Sequence, residues 1–433
     1  MAILFEQVTA VTMDPTQPIL HNAYVAVEGN SISYVGTQPP QGTFTRTISG
    51  AGKVLMPGLV NAHTHLPMTL MRGYGGGCDL QHWLNDYIFP AEDKLDSRSV
   101  KAGTMLALAE LIASGTTCVA DMYYFCDDIA QCVDTAGINA NLSRSLVCFQ
   151  EQDPTQMESW KEMEALYEKW NGYDHGRILV DASVHAEYTS FACPALWETL
   201  GNWAVNHHCN MQVHISETQS EHEDCIHRHG KTPIALFDQY GLWQTGGVAA
   251  HCVYVSEEDM DLMAQRGITA VHNPMSNLKL ASGIARVPSL LKHGVHVALG
   301  TDGVASNNSH DMFEEIKLAA TLHKGVIRDP MAVSAHEALS MATVNGAAAL
   351  KRNTGMIAEG KQADLILVDF TAPALTPCHD VEENLAFSSN GSHVQLTMAM
   401  GQILYENGQF LTIDLEQVQH KLKDYALPRI FQK

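Results

Sequence analysis

The chain has 433 residues, enough to bury a large core as one big domain with an accessory or as two ordinary domains. With 45% hydrophobic and 17% charged residues, it has the composition of an ordinary soluble globular protein. A formal net charge of -22 leaves no basic surface of the kind phosphate backbones and anionic bilayers require, so neither nucleic acid nor a membrane is an expected partner.

The opening, MAILFEQVTAVTMDP, carries Glu6 early and has no basic region before an apolar one, so it reads as a strand rather than a signal peptide. NAYVAVEGNSISYVG then alternates apolar and polar residues, with Gly29-Asn30 as a turn signal. Beyond Pro57 the pattern changes. Short β-rich runs now alternate with longer helical stretches such as SRSVKAGTMLALAELIASG and HDMFEEIKLAATLHKG. Eight strands are expected in LVNAHTH, TTCVADM, NANLSRSL, ILVDASVH, MQVHIS, GVAAHC, ITAVHN and HVALGTD. Strand-helix alternation over about 300 residues is the pattern of a parallel barrel. KQADLILVDF and HVQLTMAMGQILYENGQFL, with Asn407-Gly408 as a hairpin turn, return to the opening style. The expected architecture is α/β: a TIM (β/α)8 barrel over 57–356, and a small composite β-sandwich domain from 1–56 plus 357–425.

Ten cysteines are scattered without a CxxC pair, and Cys118, Cys148 and Cys252 sit in apolar company as small buried thiols. No run of 18 apolar residues occurs, so no transmembrane helix is expected. A reducing cytoplasm is the expected compartment.

The strand ends carry the chemistry. His65, Asp121, His185, His214, His251, His272 and Asp302 all fall at or next to a C-terminal strand end, and in a barrel those ends form one catalytic face. His63 and His65 sit two apart on the first strand, so both rings face the mouth and suit a zinc-like ion. His214 ends the fifth strand. Glu217 lies just beyond it, where a carboxylate beside activated water acts as general base and then general acid. His251 ends the sixth strand and is placed to donate to a metal-bound water or to a developing oxyanion. Asp302 ends the eighth and completes a four-ligand set. His272, followed by Asn-Pro, reads as structural or pocket-shaping. The histidines of SEHEDCIHRHG read as the solvated face of a helix that closes at Gly230.

HxH, H, H and D in this order, with MPGLVNA before the first pair and GxIxxGxxADLILVDF at 355–370, resemble the amidohydrolase superfamily along the whole chain. The resemblance implies metal ligands His63, His65, His214 and Asp302. Dinuclear members bridge two metals with a modified lysine on the fourth strand. RILVDASVH has none, so one divalent metal is expected, Zn2+ first, with Fe2+ or Mn2+ as substitutes.

Four stretches, NAHTHLPMTLMRGYGGGCDLQHWLNDYIFPAED, HCVYVSEEDM, HNPMSNLKLASGIA and LGTDGVASNN, are similar to the 5′-methylthioadenosine/S-adenosylhomocysteine deaminase group. By that similarity Glu92 holds the ribose hydroxyls, Arg144 faces the 5′ substituent and His185 contacts the nucleoside. Glu217 and Asp302 then serve both substrate binding and proton transfer, with His251 as the third catalytic residue. The expected reaction is metal-dependent hydrolytic deamination at C6 of a small-molecule adenine nucleoside. The competing readings are the same machinery acting on a guanine-type base or an s-triazine, as deaminase or chlorohydrolase, and a non-catalytic scaffold of this fold. The sequence leaves homo-oligomerisation open. The group commonly has a second arginine after strand three. Here that segment reads Cys148-Phe149-Gln150-Glu151-Gln152-Asp153-Pro154, so an uncharged 5′ group is expected to be handled at least as well as S-adenosylhomocysteine, with Glu151 and Asp153 either adding like charge nearby or facing that substrate's ammonium.

Overall fold

A computed structural model describes residues 2–431. Its first five strands, β1 (Ala2–Val11), β2 (Ile19–Glu28), β3 (Ser31–Gly36), β4 (Arg46–Ser49) and β5 (Lys53–Pro57), precede the barrel. The barrel strands are β6 (Leu59–Thr64), β7 (Thr116–Tyr123), β8 (Asn139–Arg144), β9 (Ile178–Val180), β10 (Ala182–Ser183), β11 (Met211–Ile215), β12 (Gly247–His251), β13 (Ile268–His272) and β14 (Val297–Leu299). β15 (Leu365–Asp369), β16 (Val394–Ala399), β17 (Gln402–Glu406) and β18 (Gln409–Phe410) follow.

β6 to β9 and β10 to β14 pair in parallel in sequence order. β9 and β10 are one strand interrupted at Asp181, whose N–H still reaches Leu142 O at 2.9 Å. The ring closes where Thr64 bridges Asp302, with Asp302 N–H donating to His63 O at 3.0 Å. Eight parallel strands with intervening helices therefore form the expected α/β barrel. Each strand is buried on both faces, which explains why β7 and β11 to β14 are buried along their whole length.

The terminal strands join in one nine-stranded sheet, ordered β18-β17-β16-β15-β5-β1-β2-β3, with β4 also on β1. Its apolar side chains close over a single cluster that takes in Phe5, Val25, Leu365 and Leu396, so the two chain ends build one β-rich unit. The helical tail after Asp414 leaves this unit and returns to the barrel. There Tyr425 donates to Asp96 Oδ2 at 2.5 Å and Lys94 Nζ reaches Ile430 O at 2.8 Å.

β6 carries one extra residue against β7 between Asn61 and Thr64, a bulge. Bulges re-aim side chains. Below it Val60 and Ala62 join an apolar cluster with Cys118, Ala120, Val248 and Ala298. Above it His63 and His65 turn to the barrel mouth. One short strand thus serves both core and site.

Candidate active site

His63, His65 and His214 present ring nitrogens all within 4.8 Å of one another, and His63, His251 and Asp302 make a second, overlapping group. The orientation of each ring is fixed from behind. His65 Nδ1 lies 2.6 Å from Met122 O and His214 Nδ1 lies 2.8 Å from His185 O. A ring that donates Nδ1–H to a carbonyl keeps a lone pair on Nε2. Those Nε2 atoms stand 3.3 Å apart, and His65 Nε2 is 3.1 Å from Asp302 Oδ1. Acceptors facing each other at such distances need a positive charge between them. His63 Nε2 is buried without any hydrogen-bond partner and points at the same place. The donor set therefore fits a divalent cation.

Asp302 is aimed in the same way. Ser276 and Ser306 hydroxyls donate to its Oδ2 at 2.6 and 2.9 Å, which leaves Oδ1 to face His63 and His65. Burial opposes its charge, yet a protonated imidazole donating to it holds its carboxyl well below the usual carboxylate range, the same demand for positive charge at this place. Ser216, His251, Cys252 and Asp302 all have positive φ (49°, 74°, 49° and 61°). Non-glycine residues persist there only when their surroundings over-determine them. Gly300 is required on steric grounds, because a Cβ would stand 2.9 Å from His63 Cβ and 2.6 Å from Asn273 Oδ1.

Glu217 stands beside this cluster, with Ser282 Oγ donating to Oε1 at 3.2 Å and His251 Nε2 3.7 Å from Oε2. Burial pushes its carboxyl above the usual range. Burial pulls the His251 imidazole down, but the Glu217 and Asp302 carboxylates outweigh it and the net shift is upward.

A cavity rises above the cluster, walled by His65, Trp83, Glu92, His185, Glu217 and Leu280 among others. Glu92 comes from the helical segment after the glycine-rich GYGGG stretch. Tyr123 donates to its Oε1 at 2.5 Å, and burial raises its carboxyl to about 7. His185 lies against His214, ring centres 4.7 Å apart, and burial lowers it to about 3, so it is neutral. Arg144 lies further out, in a vestibule that shares Phe89, Glu92, Tyr124 and His185 with the inner cavity.

Two placements differ from the expectation for the segment after strand three. Asp153 turns back to cap Thr155 N at 3.0 Å, Glu151 is exposed, and neither lines the cavity or the vestibule. The acidic residue that meets Arg144 is Glu162, from the following helix. Asp121 accepts from Leu66 N at 2.6 Å and shapes the turn after His65, and His272 lies 3.3 Å from His323. In the histidine-rich helix, His229 pairs with the buried Glu187 at 2.9 Å, and none of its histidines joins the cluster. The supporting groups Tyr123, Ser276, Asn277, Ser282 and Ser306 carry no local signal. Only the fold brings them to the strand ends.

Barrel and site together define a metal-dependent hydrolase that works at the C-terminal face of its strands. The amidohydrolase family model matches residues 54–404, and the chain belongs to that family. It is 39% identical over 430 residues (98% of this chain, 99% of the relative) to a 5-methylthioadenosine/S-adenosylhomocysteine deaminase of Thermoanaerobacter pseudethanolicus. A 5′-deoxyadenosine deaminase of Methanosarcina acetivorans is 40% identical over 425 residues, covering 98% of this chain and 97% of the relative. Among solved structures, an adenosine deaminase of Xanthomonas campestris with bound zinc superposes with a TM-score of 0.93 at 33% identity, over 99% of this chain and 98% of that one.

Proposed function

We propose that the chain deaminates adenine nucleosides hydrolytically at C6, giving the inosine analogue and ammonia. One observation carries this reading: Glu217, beside the cation-ready cluster, and Glu92, a ribose-ready carboxylate, line the same cavity. The relatives named for adenine nucleosides support it.

His63, His65, His214 and Asp302 would hold one divalent cation, zinc by the chemistry of three imidazoles and a carboxylate and by the likeness to the zinc-bound Xanthomonas structure. When bound, the cation supplies Lewis acidity that lowers the pKa of water towards 7. Glu217 takes a proton from the attacking water and delivers it to ring N1. His251 turns Nε2–H to the oxygen that adds at C6 and stabilises its charge. Asp302 receives the second proton and returns it to the amino group, so that ammonia leaves. Glu92 accepts from the ribose hydroxyls, neutral His185 lies along the nucleoside, and Arg144 stands towards its 5′ end.

We assign residues 57–356 to the catalytic barrel and 1–56 with 357–414 to the composite domain; 415–425, expected in that domain, pack on the barrel instead. Ten free thiols suit a reducing, cytoplasmic setting. Ammonia release from adenosine, 5′-deoxyadenosine, 5′-methylthioadenosine, S-adenosylhomocysteine, guanine and an aminotriazine tests the reading. Uncharged 5′ groups are expected to give kcat/KM at least equal to that of S-adenosylhomocysteine. Turnover confined to guanine or the triazine would sink the proposal.

A further inference from the structure

The vestibule outside Glu92 holds one arginine, and that arginine is already engaged. Arg144 Nε donates to Glu162 Oε2 at 2.6 Å, and Nη1 donates to Ser145 O at 2.5 Å. Its guanidinium also lies over the Tyr124 ring, 5.1 Å from the centre. A carboxylate ligand binds an arginine tightly through two parallel N–H groups on one edge of the fork. On Arg144 the edge that begins at Nε is taken by Glu162, and the outer edge is compromised by Ser145 O. Among the described residues the vestibule wall adds no second arginine or lysine. Glu92, Asp93 and Glu162 set three carboxylates against the one guanidinium. The remaining surface is largely aromatic. Phe125 and Phe149 are 41% and 71% exposed there, which leaves apolar area for a ligand to cover.

We infer that Glu162 is the residue that sets selectivity at the 5′ end: by holding Arg144 it withdraws the one arginine or lysine that lines the vestibule among the described residues and turns the chamber towards uncharged, apolar 5′ groups. Arg144 is 13% exposed and Glu162 51%, so the arginine is fixed by packing while the glutamate reaches it from the solvent side. Replacing Glu162 therefore frees the cation without moving it. This inference rests on the nucleoside reading of the cavity.

The test is binding, measured so that turnover does not enter. Holoprotein carrying Glu217→Gln is titrated calorimetrically with neutral 5′-methylthioadenosine and with anionic 5′-S-(2-carboxyethyl)-5′-thioadenosine. The titrations are repeated with Glu162→Gln added, and again with Arg144→Met added to both. Glu162→Gln is expected to improve the ratio of affinities, anionic over neutral, about 10-fold to 100-fold, the worth of one charge-assisted contact. Arg144→Met should remove that gain. A ratio that moves less than two-fold, or a gain that survives Arg144→Met, overturns the role of Glu162. If neither nucleoside binds any variant, both this inference and the nucleoside reading fall. If the ratio shifts as expected but the parent protein releases no ammonia, only the deamination chemistry falls.

Discussion

Asn277 Oδ1 lies 2.8 Å from His251 Nδ1, and both side chains are buried. The amide carbonyl can only accept, so it fixes the proton on Nδ1 and leaves Nε2 to face Glu217. A protonated His251 then donates at both nitrogens, which is the form its two carboxylate neighbours favour.

Loss of that support is measurable. Asn277→Ala should lower kcat by about 10-fold to 100-fold, the usual cost of removing a partner behind a working histidine. Metal content should be unchanged. Steady-state kinetics beside elemental analysis decides it, and a kcat within two-fold of the parent would show that His251 needs no orienting partner.

Metal stoichiometry follows from the ligand geometry. The purified protein should carry about one divalent ion per chain, and a strong chelator should abolish activity until Zn2+ is restored. His214→Ala removes one of the converging nitrogens and should lose both ion and activity. Two ions per chain, or full activity after chelation, would contradict the single-site assignment.

Glu217→Gln keeps the size of the side chain and its contact with Ser282 but cannot carry a proton. A loss of about 10²-fold to 10⁴-fold in kcat is expected with the metal still bound. Near-normal kcat in the metal-loaded variant would remove Glu217 from the proton path.

The pH dependence of substrate capture should report Glu92. Burial raises its carboxyl to about 7, so it is neutral below that pH and ionised above it. On the proposed nucleoside reading the ionised form would accept from both ribose hydroxyls, and kcat/KM should therefore rise as pH increases through about 7. Glu92→Gln should flatten that limb and lower kcat/KM at pH 8 by about 10-fold or more, as one or two hydrogen bonds to a charged acceptor are lost. A limb of the same shape in the variant would assign the titration to another group.

Much of this protein was legible because a barrel converts chain order into place. Once strands and helices alternate, every strand's C-terminal end reaches one face, so His63, His65, His214, His251 and Asp302 could be gathered on paper although 239 residues separate the first from the last. The β-strand alternation of both termini likewise told that they resemble each other, and the nine-stranded sheet joins them. What the sequence determined was which chemistry meets at the mouth.

How those groups are held was decided by tertiary structure. The β6 bulge aims His63 and His65, the Met122 and His185 carbonyls fix two ring tautomers, and Ser276 with Ser306 turns Asp302. Arg144 shows the limit most clearly: its position on strand three was readable, but its partner Glu162 sits 18 residues on, in an exposed turn of another helix. Strand ends are fixed by a periodic hydrogen-bond lattice that sequence patterns encode. The partner a long side chain finds above them depends on helix packing and loop path, which no local pattern specifies.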